Sequence, residues 1–277
     1  MAALIDFDRE YMKFAAVKLQ GKTEFKDDEL EKLLNEAMRE WLDTPLSVLG
    51  GKTPDGYFAG MQPDELVSLL AQYCAAGKDV PEPLYKRIAG EKACRPYLAV
   101  VLESKSSCDD AKASAVRLIC DMGGEEAAQI CADALGCGGE AAEIAADMLK
   151  SAGYGIVGML SDIYETAGSE KKALILDVLS CYPGVDETAD KLIERLYNDR
   201  DRRAYYAILA GKLGDERLLE PLMRLSQLTD MEYYDYKEIV NAIDALGGDP
   251  GVIREFYGDP DYEALRIADT MPAGDEN

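Results

Sequence analysis

Apolar residues recur at three- and four-residue intervals along almost the whole chain, which is the period of a helix face. Residues 6–20 set Phe7, Tyr11, Phe14, Ala15 and Leu19 on one stripe. Residues 27–42 repeat the pattern with Leu30, Leu33, Leu34, Met38 and Leu42, behind an acid-rich start that suits a helix N-terminus. Gln62-Pro63-Asp64-Glu65 reads as a helix opening, with proline in the first turn and acids behind it. Leu66, Leu69, Leu70 and Tyr73 continue its apolar face. No segment alternates apolar and polar residues between turns, as a half-buried strand does. The pattern predicts an all-α chain.

The helix breaks are themselves periodic. They fall at M-G-G-E-E, S-A-G-Y-G, Y-P-G-V-D, L-G-D-E-R and L-G-G-D-P, and the landmarks Gly124, Gly153, Gly184, Gly214 and Gly248 are spaced by 29, 31, 30 and 34 residues. Each landmark follows one apolar helix and precedes another, and glycine suits the left-handed cap that would end the first. Further breaks lie between them, at Gly136–Gly139, Thr166-Ala167-Gly168 and Asn198-Asp199. The unit is therefore a helical hairpin of about 30 residues, within the range of known helical repeats. Over residues 185–198, Val185, Ala189, Leu192, Ile193 and Leu196 form one face, and Asp186, Asp190, Lys191 and Glu194 should point away. A lone hairpin cannot bury both of its apolar faces, so neighbouring units must stack into an α-solenoid.

The segment R-R-A-Y-Y-A-I-L-A-G-K-L-G-D-E-R-L-L-E-P-L-M-R-L, residues 202–225, resembles the short HEAT repeat of phycobilisome-lyase-like proteins. Arg203, Ala207, Leu213 to Asp215 and Pro221-Leu222 sit where that pattern wants them, with Gly211 in place of a common alanine. The resemblance extends more loosely over 105–265. It implies a right-handed α-solenoid of HEAT-like hairpins over 105–277, preceded by an N-terminal helical region over 1–104, and it implies a binding role. No motif here carries the family's pigment-lyase chemistry. The stretch W-L-D-T-P-L-S-V-L-G-G-K-T-P, from Trp41, is similar both to a signature of small bacterial antitoxin domains and to the N-terminal region of bacterial HEAT-like proteins. The second likeness is preferred because repeats follow it.

Composition narrows the function classes. Fifty-three acids against 30 bases give a net charge of −23, which disfavours phosphate backbones and anionic membrane surfaces. The chain has no histidine, which removes the commonest general base, the commonest neutral metal ligand and every Ser-His or Cys-His pairing. Its seven cysteines have no C-x-x-C spacing and read as reduced, small core residues. The N-terminus lacks the basic and apolar regions of a signal peptide, and no apolar run approaches a membrane span, so the expected location is the cytoplasm.

Candidate chemistry is sparse. Within Trp41–Phe58, L-G-G-K-T superficially matches the end of a phosphate-binding P-loop. The required G-x-x-x-x-G-K-S/T fails, because Leu46 stands where the first glycine belongs. The stretch reads instead as a corner in which Thr44 caps, Pro45 opens a single turn, Gly50 stops it, and Trp41, Leu42, Leu49, Tyr57 and Phe58 anchor the packing. The runs Asp6-x-Asp8-x-Glu10 and Asp259-x-Asp261-x-Glu263 lack the glycine of a calcium loop and read as acidic helix starts. No catalytic residue, metal site or cofactor is expected. Tyrosines crowd the C-terminal half, and Tyr205, Tyr206, Glu232, Tyr233, Tyr234, Asp235 and Tyr236 form an acidic, aromatic patch suited to a basic peptide or a cationic group. The expected function is a non-enzymatic scaffold for a protein or peptide, with neither nucleic acid nor membrane as partner. The alternative is an enzyme that uses carboxylates and a tyrosine on a cationic small substrate. Arg200, Arg202 and Arg203 are the one conspicuous basic cluster that nucleic acid could use.

Overall fold

The computed structural model describes residues 4–20, 27–251 and 254–270. Among them the regular elements are all helical, as the apolar period predicts, and an isolated antiparallel bridge joins Leu46 to Lys52. The chain divides into two compact units, Met1–Met148 and Leu149–Asn277. No described helix is long and apolar enough to cross a membrane.

The first unit contains α1 (Phe7–Leu19), α2 (Asp27–Leu42), α3 (Pro63–Ala75), α4 (Glu82–Ala89), α5 (Arg95–Glu103), α6 (Asp109–Met122) and α7 (Glu125–Ala134). Helix α8 (Gly139–Lys150) carries the division between the units. The side chains of the acid-rich start of α2, at 27–29, lie outside the described residues. Helix α3 packs against α4, α5 and α6, and α6 packs on α7. Leu66, Leu70, Leu84, Ile88, Leu98, Val116 and Ile119 are fully buried there. Asp6 caps α1 by accepting from the Arg9 N–H at 2.9 Å, so this acidic run serves as the expected helix start.

The corner after α2 is compact, although Thr44 is not its cap. The Thr44 hydroxyl donates back to the Glu40 carbonyl at 2.7 Å, and extended Leu46 precedes the short 3-10 turn Ser47–Leu49. Gly50 ends that turn in the left-handed region at φ 66°. Trp41, Leu49 and Phe58 are buried. Phe7 lies edge-on to Trp41 at 6.2 Å and stacks on Phe58 at 5.4 Å.

The second unit holds α9 (Val157–Thr166), α10 (Ser169–Leu179), α11 (Asp186–Asn198), α12 (Arg203–Leu213), α13 (Leu219–Ser226), α14 (Tyr233–Ala245) and α15 (Pro260–Thr270). Consecutive helices pack as neighbours from α9 to α12, and α12 also touches α10 and α14, the elements two steps before and after it. The contact between α12 and α14 explains Gly211. A methyl group there would meet the Ala242 Cα at 3.3 Å and the Ala245 Cβ at 3.5 Å, so an alanine would need α14 to give by a few tenths of an ångström.

Several contacts between helices join residues 31 apart. The Arg195 Nε donates to the Tyr164 hydroxyl, 31 residues away, and the Ala204 N–H donates to Asp235, also 31 away. Arg217 reaches Asp186, again 31 away. In the first unit Arg95 pairs with Glu126 across the same interval. The glycine landmarks Gly124, Gly153, Gly184 and Gly214 all take positive φ, and at the last break Gly247 takes it in place of Gly248. Of these, Gly214 is a left-handed C-cap, whereas Gly124 and Gly153 stand before the next helical turn. Lys191 does not point away as its position on α11 suggested. It folds over the Tyr164 ring at 5.3 Å and pairs with Glu165.

Candidate functional site

A cavity of about 440 Å³ lies in the second unit, where the N-terminus of α12 meets the start of α14. The 3-10 turn Arg200–Arg202 leads into α12 and supplies one wall; Tyr205 and Ile208 supply the next. Opposite them stand Asp230, Glu232, Tyr234 and Asp235. Four of the seven patch residues named from sequence therefore converge: Tyr205, Glu232, Tyr234 and Asp235.

The other three are packing residues. Successive positions on a helix diverge by about 100°, so Tyr205 faces the cavity while Tyr206 is fully buried and donates to the Asp199 carboxylate at 3.1 Å. Tyr233 packs against Tyr262 at 5.1 Å and Phe256 at 5.5 Å. Tyr236 is buried against Phe256, and its hydroxyl accepts from the Arg254 N–H at 3.1 Å. Tyr234, between them, is 52% exposed.

The arginines of the basic cluster are engaged. Arg203 is buried, and its Nε donates to the Leu196 carbonyl at 3.0 Å, tying α12 to α11. Arg202 pairs with Glu170, and Arg200 pairs with Asp230 at 3.3 Å. The cavity wall thus carries three arginines against four carboxylates, those of Asp201, Asp230, Glu232 and Asp235.

Asp235 has a structural duty. Its Oδ1 accepts from the Ala204 N–H at 3.1 Å, so an acid from α14 caps the N-terminus of α12. Burial raises its carboxyl above the ordinary value, against the opposing pull of the Ala204 N–H and the Arg203 charge. Asp259 repeats the device for α14: it accepts from the Tyr233 N–H at 3.1 Å and also caps α15 through the Asp261 and Tyr262 N–H groups. These backbone donors hold its carboxyl below the usual range.

Behind Tyr205 lies a charged triplet. Asp177 pairs with Lys150 at 2.8 Å and with Lys212 at 2.9 Å. Burial pushes its carboxyl up, and the two lysines more than offset that and hold it below the ordinary value. Burial, then the charge of Asp177, push the Tyr205 hydroxyl up to about 12, so it remains a neutral donor across the physiological range. Tyr206 is likewise raised to about 12, first by burial and then by its bond to Asp199.

Chemically, the cavity offers two phenol rings and the carboxylates of Asp201 and Glu232, for which no hydrogen bond or ion pair forms among the described residues. Rings and free carboxylates together suit an ammonium or guanidinium group, and the volume suits one or two side chains of a peptide. The arginine wall and Ile208 were not named for the patch. Position 208 lies three after Tyr205, on the same helix face, which is the signal that could have found it. No group of three or more acids and cysteines with metal-holding geometry occurs among the described residues. No protein-family model matches the chain, and neither curated proteins nor solved structures give a match.

Proposed function

We propose that the chain is a non-enzymatic scaffold, an α-solenoid of HEAT-like hairpins, whose cavity at the start of α12 and α14 holds basic side chains of a protein or peptide. The observation that carries this reading is the convergence of Tyr205, Tyr234, Glu232 and Asp235 on one cavity, with Tyr234 exposed and Glu232 free to accept. The stacking part is supported by contacts that recur 31 residues apart and by the packing of α12 on both α10 and α14. A net charge of −23 favours a cationic partner at long range. The pairing of Arg200 and Arg202 with carboxylates, and the burial of Arg203 against the Leu196 carbonyl, weigh against nucleic acid at this wall.

The enzyme alternative draws on Asp235, whose raised carboxyl pKa beside a tyrosine is the pattern of a general acid. Its hydrogen bond to the Ala204 N–H gives that carboxylate a capping role instead.

The test is a display library of short basic and acidic peptides screened against the full chain at low and high salt. Enrichment of basic sequences, lost at high salt and lost in Glu232→Gln, is the expected outcome. Recovery of acidic or neutral sequences, or binding that Glu232→Gln leaves intact, would overturn the assignment. Turnover of a small amine or guanidine that is lost in Asp235→Asn would favour the enzyme instead.

A further inference from the structure

We propose that Cys120 and Cys131 are a redox-active pair, a modification site at which a peroxide drives a disulfide between α6 and α7. The two sulfur atoms lie 3.7 Å apart. Cys120 sits in the last turn of α6 and Cys131 in the body of α7, and the chain reverses between them through Gly123 and Gly124 at φ 62° and 92°. Only glycine takes both conformations freely, and the reversal sets the two helices against each other. Three of the other thiols face different partners: Cys74 meets the Ser114 hydroxyl, Cys94 the Pro63 carbonyl and Cys181 the Asp177 carbonyl.

The two sulfurs are unequal in the way a sensing and a resolving thiol must be. Cys120 is half-buried and within reach of a small oxidant, while Cys131 is buried. The contact with the Cys131 sulfur outweighs burial and lowers the Cys120 pKa. Cys131 is raised by the same contact and by burial. The thiolate is the reactive form, and the half-buried Cys120 sulfur, ahead of the buried Cys131, is the one that meets the oxidant.

The Cys120 thiolate attacks the O–O bond of the peroxide. An S–O bond forms, the O–O bond breaks, and the leaving oxygen takes up a proton as water when the oxidant is hydrogen peroxide. The Cys131 sulfur then attacks the Cys120 sulfenic acid. The S–S bond forms, the S–O bond breaks, and the departing hydroxide leaves with the Cys131 proton as a second water. Two thiols are oxidised to one disulfide while one peroxide is reduced to two waters. Closing the sulfurs from 3.7 Å to a bond of about 2 Å takes side-chain rotation and a small approach of the helices.

The experiment uses the full chain, fully reduced, exposed to hydrogen peroxide and then alkylated. Trypsin cannot separate the pair, because no lysine or arginine lies between Arg117 and Lys150. Cleavage after Glu125 or Glu126, and before Asp133, isolates each cysteine from the other and from Cys137. Two of the seven thiols should resist alkylation, the intact mass should fall by two hydrogens, and the Cys120 and Cys131 fragments should be linked until a reductant parts them. Cys120→Ser should abolish the link, and Cys181→Ser should leave it. Full alkylation of all seven thiols, over-oxidation of Cys120 without a link, or a link to Cys137 would each overturn the proposal. The mapping on the unsubstituted chain decides the outcome even if a variant fails to fold.

Discussion

Two aromatic clusters, one in each unit, look alike in sequence and differ in what they leave open. In the first unit Phe7, Trp41, Tyr57 and Phe58 close on one another, with Trp41 only 2% exposed. Loop bonds seal the edges: the Asp55 N–H reaches the Leu42 carbonyl at 3.2 Å, and Leu46 bridges to Lys52. In the second unit Tyr233, Tyr236, Phe256 and Tyr262 pack with similar spacings, and Arg254 lies over Phe256 at 4.9 Å. There, however, Tyr234 stands outside the cluster at the rim of the cavity. Aromatic density therefore marks neither core nor site. What decides is whether a ring's own helix face is covered by another element.

The largest effect should come from breaking the sealed cluster. Trp41→Ala removes a buried ring from the meeting point of α1, α2 and the corner, and should cost about 3–5 kcal/mol by chemical denaturation. Trp41→Phe should cost clearly less than Trp41→Ala. It keeps part of the ring area, and it deletes an indole N–H that is buried without an acceptor among the described residues. Equal losses in the two variants would mean that the ring volume is not what holds the corner.

A smaller effect, confined to the second unit, should follow from Asp177→Asn. The substitution leaves Lys150 and Lys212 facing a neutral amide beneath Tyr205, and should cost about 1–3 kcal/mol near neutral pH. Its pH dependence has a definite sign. The folded carboxyl titrates below its ordinary value of about 3.9, so its stabilisation is present above that value and is lost as pH falls through the lower folded one. The gap between the native chain and Asp177→Asn should therefore close on acidification. A gap that widens in acid would place the lysine pair elsewhere.

Much of this was legible from the apolar period. The helices, their boundaries near the glycine landmarks and the acidic caps at Asp6 and Asp259 follow from local rules. The same period could have sorted the tyrosines further. Tyr206, Leu209 and Leu213 share one buried face, as do Tyr236, Ile239 and Ile243. Tyr233 could not be assigned that way, because what covers it, Phe256 and Tyr262, arrives from later in the chain. Nothing in the basic cluster Arg200, Arg202 and Arg203 marks Arg203 as the buried member, because its acceptor is a backbone carbonyl, that of Leu196. The Cys120–Cys131 contact depends on how two helices align across a turn, and no spacing rule for cysteines describes it.

The smallest effect on stability should be the most informative about function. Tyr234 is exposed, and its ring takes no part in the cluster beneath it, so Tyr234→Ala should shift stability by no more than about 0.5 kcal/mol. Tyr236, two residues on, is buried and holds the Arg254 backbone through its hydroxyl, so Tyr236→Ala should cost several-fold more. If the cavity receives basic side chains, the order inverts for binding. Tyr234→Ala then loses the selected basic peptide while keeping its fold, because it removes a ring that a cation can lie against. Tyr236→Ala loses binding only to the extent that it unfolds. Paired denaturation and peptide-binding curves on the two variants separate these cases. If Tyr234→Ala keeps full affinity, the exposed ring is surface and nothing more, and the likeness between the two clusters returns.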